Sequence, residues 1–479
     1  MTKTSFLPIR QIVVLLLLVF LIPFSIHAQE AKYVFFFIGD GMGLSHVTAA
    51  DAYLKASKSA NDTSGLCFTK FPVAGFSTTY AGNRFITGSA AAGTALACGQ
   101  KTSIGTIGMD MTKMQAMPSL AEMAKKQGYK VGIISSVSID HATPASFYAH
   151  QPERNNYYEI ACSLPASNFD FFGGGSFKKH KLKDEQISAY DLARQQGYTI
   201  TNTREDFDKL KKGDKKVFAS GSITEGSGAL RYAIDQTDAD IPLEDFVAKA
   251  IELLDNKKGF FIMCEEGKID WAAHANDGAT MVKNVVSLSE AVKKALDFYE
   301  KHPDETLIVI TADHETGGFA LGSATMKYDS DFALLDHQDI SAQAFTSIAD
   351  SLFAIPANLN VGYAMQLVED YFGMGDDAAI QLSPYEKSQL EEAFFVMAGK
   401  ISPDNEAAYI DYGGDNPLTV TATEILNNKA GIAWTTWSHT GVPVPVYAIG
   451  AGAESFKGFY DNTDIPKKIA RLMNIDFNE

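Results

Sequence analysis

Cysteine is scarce in this chain. Four residues, Cys67, Cys98, Cys162 and Cys264, are scattered over 479 positions without a C-x-x-C pair, which argues against a zinc knuckle or a thioredoxin-like dithiol. Up to two disulfides, in three possible pairings, stay open. Cys98 follows a run of small residues and Cys264 ends an apolar run, so both are expected as buried thiols. Basic residues are also short: 41 Lys and Arg face 58 Asp and Glu, a formal net charge of −17. That excess opposes nucleic-acid binding through a general electrostatic patch. An anionic ligand must be drawn in by local charge, not by the field of the whole molecule.

A membrane-spanning apolar run is missing too. The N-terminal stretch from Ile12 to Phe24 is about thirteen residues, too short to cross a bilayer comfortably. With Lys3 and Arg10 before it and the small Ala28 after it, the segment is laid out as a secretory signal peptide. Residues 1–28 are expected to be removed, leaving an exported protein with no stable membrane anchor and a charge of −19, because the segment carries two basic residues and no acid. No internal repeat or long low-complexity tract stands out.

What is present is an α/β rhythm. Buried strands are expected at YVFFFI (33–38), YKVGIISSV (129–137), KGFFIMC (258–264), TLIVIT (306–311) and VPVYAI (444–449). Between them lie helical patterns such as PLEDFVAKAIELLD, with Leu243, Phe246, Val247, Ala250, Ile251 and Leu254 on one face. Strands alternating with helices imply a doubly wound, mostly parallel central sheet with helices on both faces. Residues 29–479 are read as one catalytic domain. Two stretches are read as elaborations on its core: 165–240, where DFFGGGSF and KLKKGDKK suggest loops, and a helical or mixed insertion at about 320–430.

Chemistry gathers where strands end. YVFFFI runs into Asp40, KGFFIMC into Glu265, and TLIVIT, one residue later, into Asp313 and His314. Ligands of open α/β sheets bind beyond the carboxyl ends of the strands, so these groups are expected to converge as a metal centre. Asp270 and His274, four apart, share a helix face suited to one ion. Ser89 stands where a small-residue helix begins, and a helix N-terminus stabilises an alkoxide or phosphate. A metal can lower its hydroxyl pKa without a histidine base. The serine lacks a G-x-S-x-G elbow, and GTALACGQKT has the wrong spacing for a P-loop.

DGMG at 40–43, TGSAAAGTA around Ser89, HATPAS at 141–146, IDWAAH at 269–274, ADHETGG at 312–318 and SHTG at 438–441 stand in the order found in alkaline phosphatases. The chain resembles that family over about residues 33–470. The resemblance implies two zinc ions, one on Asp270, His274 and His439, the other on Asp40, Asp313 and His314, with Ser89 coordinated there as nucleophile. It implies a third, magnesium-type site on Asp40, Thr143 and Glu265, phosphate binding by Arg154, phosphate monoester substrates, a homodimer and a periplasmic or extracellular location. It further implies that a phosphoserine forms on Ser89 and is then hydrolysed. Gly88 departs from the family's frequent aspartate, so either substrate affinity suffers or another group holds Arg154; His141 and Trp271 replace an aspartate and a lysine of some members. Pro152 is expected to break the helix from Thr143 and return Arg154 to the site. His150 is expected to hydrogen-bond inside the fold, and His46, His180, His302 and His337 to be surface or structural residues. The rivals are a phosphodiesterase on the same two-metal fold and a metal-stabilised binding protein with a vestigial site.

Overall fold

The computed structural model describes residues 30–477 apart from 58–63, 184–186, 223, 225–226 and 356–358. The expected signal peptide, 1–28, lies outside the described residues. Ten strands form the central sheet. In chain order they are β1 (Tyr33–Gly39), β2 (Val73–Ser77), β3 (Lys130–Ser135), β4 (Phe171–Gly174), β5 (Thr199–Thr201), β6 (Val217–Ser220), β7 (Phe260–Glu266), β8 (Thr306–Ala312), β9 (Val444–Gly450) and β10 (Gly458–Tyr460). Their spatial order is β10-β2-β9-β8-β1-β7-β3-β4-β6-β5. Only β9 runs against its neighbours β2 and β8.

The middle strands read as continuous apolar runs because both faces are covered. Alternate side chains of β1 enter different cores: Phe35 and Phe37 pack into one with the helix Leu243–Leu254, while Val34, Phe36 and Ile38 pack into the other. On that helix Phe246, Val247, Ala250 and Leu254 are buried as its periodicity requires, whereas Ile251 is only partly covered.

The stretch 165–240 departs from the sequence reading. It is no appendage of loops: β4, β5 and β6 make one wing of the main sheet, with β4 paired to β3. The glycines that suggested loops are sites of close backbone approach. A Cβ on Gly174, whose φ is +108°, would strike the Ser135 carbonyl, and one on Gly173 would strike the Phe171 ring. Beyond residue 340 the chain forms the helices Ala342–Phe353, Val361–Phe372, Pro384–Met397, Asn405–Tyr412 and Pro417–Ala430.

All four cysteines are free thiols, and Cys98 and Cys264 are buried as expected. No helix among the described residues is long and apolar enough to cross a membrane.

Candidate metal centre

Register builds the site. Ser135 on β3 is level with Glu265 on β7, Ile38 on β1 is level with the same Glu265, and Gly39 is level with Ala312 on β8. Asp40 and Asp313 each follow one residue later. Four neighbouring parallel strands therefore deliver Ser135, Glu265, Asp40 and Asp313 to one edge of the sheet. Gly41 turns the chain there at φ +73°; its N–H donates to Asp313 Oδ1 at 3.1 Å, and a Cβ would lie 2.7 Å from Thr316 Oγ1.

Ser89 opens the helix Ser89–Cys98, in which every residue is buried. Its small side chains have a packing reason: a Cβ on Gly93 would lie 3.2 Å from Thr143 Cα and 3.1 Å from Ser146 Oγ. The close approach brings Ser89 and the HATPAS segment together. Ser89 Oγ is 3.4 Å from His314 Nε2, which is itself 3.4 Å from Asp40 Oδ1 and 3.3 Å from Asp313 Oδ2. The last histidine arrives on the two-residue strand His439–Thr440, paired antiparallel with Glu315–Thr316 so that His439 faces Thr316. The Glu315 carboxylate accepts bonds from the Thr440 hydroxyl and the Phe319 N–H, tying the two segments together.

Three sets of side chains converge, the ligand atoms within each lying within 4.8 Å of one another: Asp270 with His314 and His439, Asp40 with Asp313 and His314, and Asp40 with Glu265 and His141. His274 joins the first, its Nε2 3.4 Å from Asp270 Oδ1 and 3.0 Å from His439 Nε2. The two rings use Nδ1 on backbone carbonyls, His274 on Trp437 at 2.6 Å and His439 on Thr87 at 2.9 Å. In neutral rings those Nδ1 atoms carry the protons, so two Nε2 lone pairs face each other, an arrangement that calls for a cation. Other buried atoms have no hydrogen-bond partner: both Asp40 oxygens, Asp313 Oδ2, Glu265 Oε1, Thr143 Oγ1 and His141 Nδ1. Unpaired oxygens and imidazole nitrogens at this density fit divalent metals.

The protonation pattern of the metal-free protein has the same cause. Burial, then the charges of Asp313, Asp270 and Glu265, push the Asp40 carboxyl well above the usual range. Burial carries Glu265 up to about 8 despite its bond from the Ser135 hydroxyl, and burial with the Asp270 charge carries Asp313 up to about 7. Asp270 is the exception. Burial opposes its charge too, but His274, His439, His314 and the Thr316 hydroxyl surround it and hold it below the usual range. His314 is kept neutral first by burial and then by His439.

Arg154 is held by an unexpected partner. Its guanidinium donates to His141 Nε2 at 3.0 Å. Because arginine only donates, His141 accepts there as a neutral ring; burial and then the Arg154 charge lower its pKa to about 3. Pro152 is not what returns the arginine: the helix Ala142–Ala145 ends well before it, and the chain is brought back by the Gln151 bridge to Ile107 and the Arg154 N–H on the Gly105 carbonyl. Sequence reasoning treated His141 only as a departure and passed over Thr316 and Ser135. Their signals were weak, an uncharged residue inside ADHETGG and a strand-end serine. The neighbouring Glu266 turns away and accepts from Ser136 at 2.6 Å and Ser287 at 3.2 Å. His46 is a structural residue, the second of the two expected alternatives: it is wholly buried against the rings of Phe319 and Trp434. His150 bonds inside the fold, to Gly108 at 2.7 Å and Glu122 at 3.0 Å.

The alkaline phosphatase family model matches residues 31–188 and 175–475. The chain belongs to the alkaline phosphatase family. Alkaline phosphatase 3 of Bacillus subtilis is 33% identical over 465 residues, covering 94% of this chain and 91% of the relative. The human tissue-nonspecific isozyme is 28% identical, with 68% and 70% covered. Among solved structures, the cold-active alkaline phosphatase of a Shewanella species superposes with a TM-score of 0.75 at 28% identity, covering 92% of this chain and 99% of that one. The Thermus thermophilus alkaline phosphatase, at 21% identity, shares the fold with a TM-score of 0.78, covering 98% and 96%. This alkaline phosphatase is thus a metal-dependent hydrolase of phosphate monoesters.

Proposed function

We propose that the enzyme hydrolyses phosphate monoesters in two displacements through a phosphoserine on Ser89, with two zinc ions and a third ion of magnesium type. Asp270, His274 and His439 would hold one zinc and Asp40, Asp313 and His314 the other, beside Ser89. Asp40, Thr143 and Glu265 would hold the third, and His141, which groups with Asp40 and Glu265, lies beside them. The observation that carries this reading is the pair of facing Nε2 atoms with the unpaired carboxylate oxygens next to the Ser89 hydroxyl. Bound there, the metals would supply positive charge that lowers the serine hydroxyl pKa and neutralises the phosphate dianion.

The residues do the rest. Arg154 leaves His141 to offer a two-pronged donor to two phosphate oxygens. Ser89 Oγ, freed of its proton, bonds to phosphorus as the bond to the ester oxygen breaks, and the alcohol leaves and takes up a proton. The start of the helix Ser89–Cys98 favours the added negative charge. Water then attacks the phosphoserine, the Ser89 Oγ–phosphorus bond breaks, and inorganic phosphate departs.

The same proposal assigns residues 1–28 to an export signal, 29–479 to the catalytic domain with an insertion at about 320–430, and the mature enzyme to the periplasm or cell exterior. A homodimer is supported by family membership and by an exposed apolar edge: Phe459 on the edge strand β10 is level with Phe76 on β2, and both are exposed.

The test compares an aryl phosphate with a bis-aryl phosphate before chelation, after it, and with zinc and magnesium restored. Monoester turnover that is lost and regained with metal is expected. Faster diester turnover would identify a phosphodiesterase, and no turnover by the loaded protein a binding protein. Ser89→Ala is expected to cost at least about a thousandfold in kcat and to remove the phosphoserine seen by mass spectrometry.

A further inference from the structure

Beside His274 a cavity of about 420 Å³ opens between the sheet-side helix Lys268–His274 and the starts of the helices Ala342–Phe353 and Pro417–Ala430. Two of its walls belong equally to the metal centre. The Trp271 ring sits 5.8 Å from the His141 ring, and His274, half exposed on this side, turns its Nε2 to Asp270 and His439. An ester whose phosphorus lay at the metals would therefore reach into this cavity with its alcohol portion.

The lining has a definite chemistry. Its floor is aromatic, Trp271 with Tyr232, both pinned by the buried Lys268, whose Nζ lies 4.8 Å and 3.5 Å from the ring centres. The opposite wall is crowded with uncharged hydrogen-bonding groups, notably Gln343, Thr346 and Thr419. Thr346 and Thr419 share one bond at 2.8 Å, so one hydroxyl proton and several lone pairs stay available. Among the described residues no lysine or arginine lines the cavity, and its two carboxylates are Asp415 and Asp277, the second saturated by Thr280, Gln338 and the Ala342 N–H. Flat aromatic faces opposite dense neutral donors and acceptors suit a ring bearing many hydroxyls. The Asp415 carboxylate, which shares this lining with His274, adds negative potential that disfavours a further anion on the alcohol.

We infer that this cavity is the leaving-group subsite, built for an uncharged polyhydroxylated alcohol of the sugar class and selective against alcohols that carry a further anion. The inference rests on the phosphomonoesterase reading above. The Gln343 amide and the Thr346 and Thr419 hydroxyls bond the alcohol's hydroxyls, and Tyr232 and Trp271 cover its ring face.

Four monoesters of primary alcohols test it with the zinc- and magnesium-loaded enzyme: methyl phosphate, n-hexyl phosphate, a hexose 6-phosphate and a hexonate 6-phosphate whose far end is a carboxylate. Their leaving groups are similar in basicity, so ratios of kcat/KM report contacts to the rest of the alcohol. The hexose ester is expected to exceed the hexyl ester by about tenfold, the worth of one or two hydrogen bonds, and the hexonate to fall several-fold below the hexose. Gln343→Ala and Thr346→Val are each expected to lower the hexose-to-methyl ratio up to about tenfold, through KM rather than kcat. Equal turnover of hexose and hexyl esters overturns the subsite, as does either variant slowing all esters alike; methyl phosphate hydrolysis would then leave the phosphomonoesterase reading standing. Turnover of none of the four overturns both.

Discussion

Thr316 carries no charge, yet its hydroxyl donates to Asp270 Oδ1 at 2.5 Å and lies 3.3 Å from His314 Nδ1. One small side chain thus aims a proposed ligand of each zinc. Outer partners of this kind set ligand orientation and are worth about 10–100-fold in metal affinity. Thr316→Val is expected to weaken zinc binding by that factor in chelator competition, and Thr316→Ser to restore it. His46 is a different case. Both ring nitrogens are buried, close to the Thr316 backbone without closing a hydrogen bond, and burial lowers its pKa to about 3. A base whose folded pKa is depressed contributes stability above its unfolded value, near 6.5, and loses it as pH falls. His46→Phe is expected to gain on the parent by about 1.4 kcal/mol per pH unit on acidification from pH 6 to pH 4, and to track it above pH 7, in urea titrations. Single residues were legible when they were charged and ended an apolar run, as Asp40, Asp313 and His314 do. Thr316 was not, because an uncharged hydroxyl gains its role only from strand pairing that places it opposite His439.

At the scale of an element, the turn after β1 has the narrowest tolerance. Gly41 combines a left-handed backbone with Thr316 Oγ1 and Asp270 Cα where a Cβ would sit, at 2.7 and 3.0 Å. Gly41→Ala adds about 1–2 kcal/mol of backbone strain and about 1–3 kcal/mol of crowding. A loss of about 2–4 kcal/mol in denaturant unfolding is expected, with less zinc retained by the purified variant. The same physics hid β4 from the sequence. FFGGG reads as a loop because glycine weakens strands in general, whereas here glycine is what lets β4 approach the Ser135 carbonyl. The five long apolar runs were legible within about two residues, since burial on both faces leaves no alternation to misread. Pro152 misled for the opposite reason: a helix breaker was given a task that strand-like bridging at Gln151 performs.

For the whole molecule, the metal centre is also a stability term. Without metal, burial pushes Glu265 up to about 8 and Asp313 up to about 7, while unfolded carboxyls ionise near 4. A carboxyl whose folded pKa is raised stabilises fully below its unfolded value and loses that contribution as pH rises through the folded one. Histidine contributions are complete above about pH 6.5, so the carboxyls set the sign there. Chelated protein is expected to melt lower at pH 8 than at pH 6.5 in calorimetry, and added zinc and magnesium to raise the melting temperature more at pH 8, because ligands must lose their protons to bind. The sheet's overall layout was legible from alternation of strands and helices. The cavity beside His274 was not, because it joins side chains as far apart as Tyr232 and Asp415.

Consider finally how His439 is delivered, by a two-residue strand about 400 positions after Asp40. The partners it completes begin at Asp40. A nascent chain emerging from the ribosome therefore carries most of the donor set long before it can close the cluster around a cation. Closure of the cluster waits on His439, and a product cut short before that strand lacks one of the proposed ligands.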